Sequence, residues 1–227
     1  MRSFSNAESL GDNPVVNPVV NPVENPVEHH LMSFQTASSS AANCPEPTPQ
    51  LSIEPLRDTD QPLFEALYCD SATMQNIATP YAAEDIPAMF QRCFKADQKA
   101  GSVRRFYVLH SRLSHSPIGM ISRVPTGLIQ APAELGIMLL AKARGKGCAD
   151  EALASLCLHC FQQLQMAAVM VRCHPENKGA CQLNIRLGFT AAPAELQDGS
   201  GLLCWWMPNT PEQHEFLRRI GTCHTAV

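Results

Sequence analysis

The sequence predicts an α/β fold, a layered sheet with helices packed on it. Three observations carry this. Short alternating or apolar runs recur between residues 51 and 207, separated by segments with helical periodicity. The clearest helical segment places Ala149, Ala152, Leu153, Leu156, Cys157, Cys160, Phe161 and Leu164 on one face, at i, i+3, i+4 and i+7 spacing. The order strand, helix, helix, three strands, helix, strand, helix, strand mixes both types along the chain, as layered α/β domains do.

Residues 1–50 lie outside that pattern. Asn13-Pro14-Val15-Val16 repeats as Asn17-Pro18-Val19-Val20, Asn21-Pro22-Val23-Glu24 and Asn25-Pro26-Val27-Glu28. A proline in every four residues blocks helix and central strand alike. Pro45, Pro47 and Pro49 then alternate with other residues. The segment reads as a disordered, Pro-rich tail. It holds Arg2 against Glu8, Asp12, Glu24, Glu28 and Glu46, which accounts for the whole chain's net charge of −4 and leaves residues 51–227 neutral.

Order is expected from Leu51. Leu51-Ser52-Ile53-Glu54-Pro55-Leu56 alternates like a half-buried strand. Asp58, Thr59 and Asp60 offer N-caps for a helix over 61–69, with Pro62 in its first turn. A second helix covers 83–100, with Ile86, Met89, Phe90, Cys93 and Phe94 on one face and Gly101 at its end. Strands follow at 106–110 and 118–124, joined by the turn Ser114-His115-Ser116-Pro117, and a third at 133–140. A loop over 141–148 leads into the periodic helix. A strand at 167–173, a helix at 178–187 stopped by Gly188, and a strand at 202–207 complete the sheet; residues 211–220 form a terminal helix outside the core.

Composition excludes several function classes. Apolar residues at 45% and charged residues at 17% give a globular balance. No run approaches the roughly 18 apolar residues of a membrane span, and the first residues have no secretory apolar core, so a cytoplasmic address without membrane contact is expected. A neutral domain without basic clusters is not a nucleic-acid footprint. Cys157 and Cys160 form a C-x-x-C without a second pair, and both fall on the apolar helix face. They read as reduced core residues, and no metal site is expected.

The chemistry concentrates at Arg144-Gly145-Lys146-Gly147-Cys148-Ala149. A strand ends in a glycine loop that opens a helix, whose first N–H groups and positive dipole end suit phosphate oxygens. Gly145 and Gly147 allow close backbone approach, and Arg144 and Lys146 add charge. An ordinary strand-to-helix turn has the same spelling, and neither a Walker loop nor a Rossmann fingerprint is present. Both readings therefore stand on spacing alone.

Arg144, Gly147 and Ala149 also satisfy the [Q/R]-x-x-G-x-[G/A] motif. With Glu134-Leu135-Gly136-Ile137-Met138-Leu139-Leu140 before it and Asp150-Glu151-Ala152-Leu153 after it, this stretch resembles the central motif of GNAT acetyltransferases, in particular their RimJ/RimL-like branch. Pro175-Glu176-Asn177 leading to Arg186-Leu187-Gly188-Phe189 resembles that branch's second signature. The resemblance covers about residues 51–208. It implies a GNAT fold with a mixed, mostly antiparallel sheet flanked by helices, and acetyl-CoA as co-substrate. Backbone amides of Gly145, Lys146, Gly147, Cys148 and Ala149 would hold the pyrophosphate, beside Arg144. Ile137, Met138 and Leu139 would pair with the pantetheine arm, Asn177 would hydrogen-bond it, and an amide near Met138 or Leu139 would meet the thioester oxygen.

The implied reaction moves acetyl to a primary amine, either a protein N-terminus or a small molecule, in a monomer or homodimer. Glu134 is the candidate base; the same residue could instead be an exposed strand carboxylate in a salt bridge. His110 and His174 are secondary candidates, and Met74, Tyr81, Phe106 and Trp205 are core or acceptor-pocket residues. Two departures stand out. The tyrosine that many relatives place on the last core helix is absent, as is the serine common at the Ala180 position. They support the alternatives, a catalytically weak acyl-CoA-binding module or an interaction protein.

Overall fold

The computed structural model describes residues 44–130, 133–197 and 199–222; the Asn-Pro-Val repeats lie outside them. Seven strands form one sheet: β1 (Leu51–Pro55), β2 (Arg105–Ser111), β3 (Pro117–Pro125), β4 (Ala133–Leu139), β5 (Ala168–Cys173), β6 (Thr190–Ala191) and β7 (Leu203–Pro208). Their order across the sheet is β1-β2-β3-β4-β5-β7-β6. Every neighbouring pair is antiparallel except β4 and β5. The helices are α1 (Gln61–Tyr68), α2 (Ser71–Met74), α3 (Ile86–Gln98), α4 (Cys148–Gln162), α5 (Lys178–Arg186) and α6 (Pro211–Thr222). The expected mixed, mostly antiparallel sheet flanked by helices is present.

Alternation along the strands feeds two apolar layers. Phe106, Val108, Met120 and Met138 pack with Leu63, Phe64 and Leu67 of α1 and Ile86 and Phe90 of α3. Tyr107, Leu109, Ile121 and Leu135 point the other way, into Leu153, Leu156, Cys157 and Cys160 of α4. Cys157 and Cys160 are fully buried free thiols, as their place on the apolar stripe predicts. Among the described residues no group of histidine, cysteine and acidic side chains could hold a metal ion, and no helix is long and apolar enough to cross a membrane.

Besides the unexpected two-residue strand β6, which pairs with β7, the structure departs from the expected elements in three places. The helix α2 is a single turn, too short to show a period; Asp70 caps it by accepting the Thr73 N–H at 2.8 Å. The terminal helix α6 is not outside the core. Its Leu217 is fully buried in the α4 layer, and the Phe161 and His214 rings stack at 5.7 Å. Asn209 fixes the approach of this helix by donating to the Met166 and Phe161 carbonyls.

The third departure precedes β1, where packing starts ahead of Leu51. The Thr48 hydroxyl, the Gln50 N–H and the Gln50 side-chain amide all donate to the carboxylate of Glu151, which is fully buried in the first turn of α4. Ser155 donates to the Glu46 carbonyl at 2.6 Å, and the Cys44 thiol to the Ile53 carbonyl. Residues 44–50 thus form a strap along α4. Their partners are scattered polar groups, which leave no periodic signal in the sequence.

One buried group makes the fold acid-sensitive. His159 on α4 is 3% exposed, and neither ring nitrogen has a hydrogen bond among the described residues. Burial, aided by the Arg123 charge, pushes its pKa down to about 4. As pH falls below the unfolded value of about 6.5, the unfolded chain takes up a proton that the folded one refuses. Stability contributed above pH 6.5 is then lost progressively down to about pH 4, by up to about 3 kcal/mol. Urea denaturation of the wild type between pH 7 and 4.5 should show this slope, and His159→Leu should remove most of it; equal slopes would place the sensitivity elsewhere.

Candidate active site

The parallel ladder between β4 and β5 is very short. Ala133 pairs with Val169 and Glu134 with Met170, and there it stops, although β4 runs on to Leu139 and β5 to Cys173. On its other side β4 stays paired with β3 along its whole length. The two strands therefore splay, and one backbone edge of residues 135–139 faces a cleft instead of a neighbour. Gly119 lets β3 approach closely from behind: a Cβ there would collide with the Met138 carbonyl. The inner end of the cleft is lined by Gly136, Ile137, Arg172, Cys173, Asn177 and Asn184, among others.

A groove of about 960 Å³ continues outward from the cleft. Its walls include Ile137, Met138, Leu139, Arg144, Gly145, Gly147, Ala149 and Asn177, so the fold brings eight of the ten residues expected around a cofactor to one surface. Gly145 and Gly147 hold φ of +71° and +77°, in the left-handed region that favours glycine. A Cβ at Gly145 would meet no atom within 4 Å, so the backbone there is open to a ligand. Gly147 is the N-cap of α4 and, having no side chain, gives the first N–H groups of the helix no side-chain cap. Arg144 braces the loop: its Nε donates to the Leu139 carbonyl at 3.0 Å and its Nη2 to the Thr73 hydroxyl. Such a cradle fits a phosphate-bearing cofactor with an extended arm.

The other two expected contacts sit differently. Lys146 is exposed beside the groove. The Cys148 side chain is 6% exposed and packs inward, its thiol pKa raised mainly by burial, leaving only its backbone at the helix start. Asn177 caps α5, accepting the Ala180 N–H at 3.0 Å through Oδ1. Asp150, also on the groove wall, is held by Arg186 at 2.8 and 3.1 Å, which offsets an anion next to the helix start.

The candidate base has a different setting from the one a base needs. Glu134 is 2% exposed, and its Oε2 accepts from Arg172 Nε at 3.0 Å and Nη2 at 2.6 Å. Arg172 lies two residues beyond Glu134's partner Met170 on the same sheet face, within diagonal reach. The carboxylate bolts β4 to β5 at the root of the splay and does not line the cleft. The carboxylate is in a salt bridge, as the alternative reading has it, but a buried one and not an exposed one. His110 lies on β2, 3.8 Å from Glu54 and away from the cleft. His174 does line the cleft, its Nδ1 accepting the Glu176 N–H at 3.2 Å. Met74 and Phe106 are core residues, while Tyr81 and Trp205 are half-buried against it.

Sequence reasoning missed the inner wall. The buried face of α5 presents Asn184, whose Nδ2 lies 3.7 Å from the Cys173 sulfur, and Cys181 lies 3.7 Å from the same sulfur. Burial pushes the Cys173 thiol up to about 12. The spacing of Asn177, Ala180 and Asn184 along one helix face was the available signal.

A family model for the acetyltransferase (GNAT) domain matches residues 50–190, more than half of the chain. The chain belongs to the GNAT acetyltransferase family. Solved GNAT-like structures share its fold. An acetyltransferase from Agrobacterium tumefaciens str. C58 superposes with a TM-score of 0.60 at 20% identity, covering 79% of this chain and 98% of its own. A spermidine N-acetyltransferase from Vibrio cholerae, in complex with CoA and spermine, gives 0.58 at 18% identity, covering 70% and 96%. A GNAT-family acetyltransferase from Bacillus anthracis gives 0.59 at 17%, covering 73% and 98%. No curated protein sequence matches the chain significantly. As a GNAT protein the chain is an acyltransferase by family, and its groove is the natural candidate for the donor.

Proposed function

We propose that this GNAT protein is an acetyl-CoA-dependent N-acetyltransferase acting on a primary amine, of the RimJ/RimL-like kind that its two signatures resemble. The observation that carries the proposal is the splay of β4 from β5, which opens directly into the groove over Gly145–Ala149. Acetyl-CoA, when bound, supplies an acyl group activated as a thioester. The backbone amides opening α4 hold the pyrophosphate. The unpaired edge of Ile137–Leu139 aligns the pantetheine arm like a further strand, and an amide near Met138 or Leu139 donates to the thioester oxygen. Since Asn177 Oδ1 caps α5, its Nδ2 is the atom that serves the arm.

The setting of Glu134 bears on the acceptor. With that carboxylate committed to Arg172, His174 is the base candidate left on the cleft, and an amine that arrives already partly deprotonated is favoured. An α-amine with a pKa near 8 is about one-tenth neutral at pH 7, while a lysine-type amine near 10.4 is neutral in well under a thousandth of molecules. Protein or peptide N-termini therefore rank ahead of lysine-like amines.

The test is thiol release from acetyl-CoA by the full chain, with peptide N-termini, lysine and spermidine as acceptors, beside calorimetry of acetyl-CoA binding. Release with an α-amine supports the proposal, and preference for spermidine overturns the ranking. Binding without release by any amine favours the second reading, an acyl-CoA-binding module. The absence of a tyrosine from Lys178–Arg186 and the presence of Asn184 and Cys173 at the inner wall support that reading.

A further inference from the structure

The groove has lining residues beyond those assigned above to the cofactor. Its inner end, at Asn76, Ile77 and Ile137, is shared with the cleft and takes the thioester. Its middle is the loop that takes the pyrophosphate. The wall beyond the loop is built by Gln182 and Arg186 of α5 and by Phe216 and Ile220 of α6, and nothing above assigns it a role. The second half of this wall comes from a helix beyond residue 190, outside the family match.

Phe216 is the unusual member. It is 41% exposed, on a helix whose neighbouring Leu217 is fully buried. Its ring rests on the α5 terminus: a Cβ at Gly188 would come within 3.2 Å of Phe216 Cε1. Gly188, at φ +81°, leaves that space for the ring edge. An aromatic side chain seated on a backbone and presented to a groove is a stacking platform for a planar base. Arg186 lines the same groove, with Asp150 engaging its Nε and Nη2.

We infer that α6 completes the nucleotide end of the cofactor site, with the face of Phe216 and the side chain of Ile220 receiving the adenine of CoA. The inference rests on the CoA reading of the groove. It makes α6 a determinant of donor choice: the helix distinguishes a full CoA thioester from one that ends at pantetheine.

Calorimetry with CoA and with adenosine 3′,5′-bisphosphate, which carries the nucleotide alone, tests this on the full chain. Phe216→Ala should raise the Kd for both by about tenfold, the scale of losing one base–aromatic stack. Phe216→Tyr should bind CoA nearly as the wild type does. The preference for acetyl-CoA over S-acetylpantetheine, measured as the ratio of kcat/KM, should fall by the same tenfold. A Phe216→Ala protein that binds CoA like a binding-competent wild type overturns this inference alone, as does an unchanged donor ratio. A wild type that binds no CoA overturns the inference together with the function on which it rests.

Discussion

Gly147→Glu should lower acetyl-CoA affinity by more than a hundredfold while leaving a folded protein. Gly147 caps α4 at φ +77°, on the wall of the groove. Glutamate there suffers two separate penalties. The left-handed backbone strains any side chain with a Cβ, costing about 1 kcal/mol or more. The new carboxylate also stands at the helix start, where it takes the N–H groups and positive dipole end meant for a phosphate. Like charges a few ångströms apart in a partly desolvated groove then oppose binding by several kcal/mol. Calorimetry reads the affinity, and circular dichroism shows that the fold survives. Gly147→Ala isolates the backbone effect and should show a much smaller loss. Unchanged affinity in the glutamate variant would remove the pyrophosphate from this loop.

Glu134→Ala should cost about 3–5 kcal/mol of stability, the range for removing one partner of a buried ion pair. Glu134 is 2% exposed, and its deletion leaves the largely buried Arg172 guanidinium without the oxygen that accepts from its Nε and Nη2. The pair also closes the root of the splay, where just two residue pairs join β4 to β5. Urea denaturation measures the loss. The double variant Glu134→Met with Arg172→Met should recover part of it, because the orphaned charge is gone as well. A base role makes the opposite forecast: Glu134→Ala of near wild-type stability, with acetyl-CoA binding intact and turnover abolished. That outcome would return the carboxylate to the chemistry.

The contrast between Gly147 and Glu134 shows how much of the site was legible in the sequence. Loop, cap and helix are local in the chain, so the spelling from Arg144 to Ala149 implies their geometry, and the structure places that backbone on the groove. The succession of elements along the chain, apart from α2 and β6, and the α4 stripe were readable for the same reason, through period and spacing; the order of strands across the sheet was not. Glu134 was visible as a carboxylate, but its partner lies 38 residues away and depends on the β4–β5 register. The inner wall of Asn184, Cys173 and Cys181 likewise exists only once α5 folds back on β5. The terminal helix reads as an appendix outside the core until Asn209 and Leu217 dock it on α4.

The strap before β1 separates the evolutionary unit from the physical one. The family match begins at residue 50, but Thr48, Glu46 and Cys44 already hold α4 and β1. A fragment cut at Leu51 deprives Glu151, one turn into the helix that opens at the glycine loop, of all three of its strap donors. It also removes Gln50, which reaches the Lys146 carbonyl in that loop. Such a fragment would test a damaged molecule, and weak cofactor binding by it would say more about the cut than about the enzyme. The contacts that hold β1 and α4 reach back to Cys44.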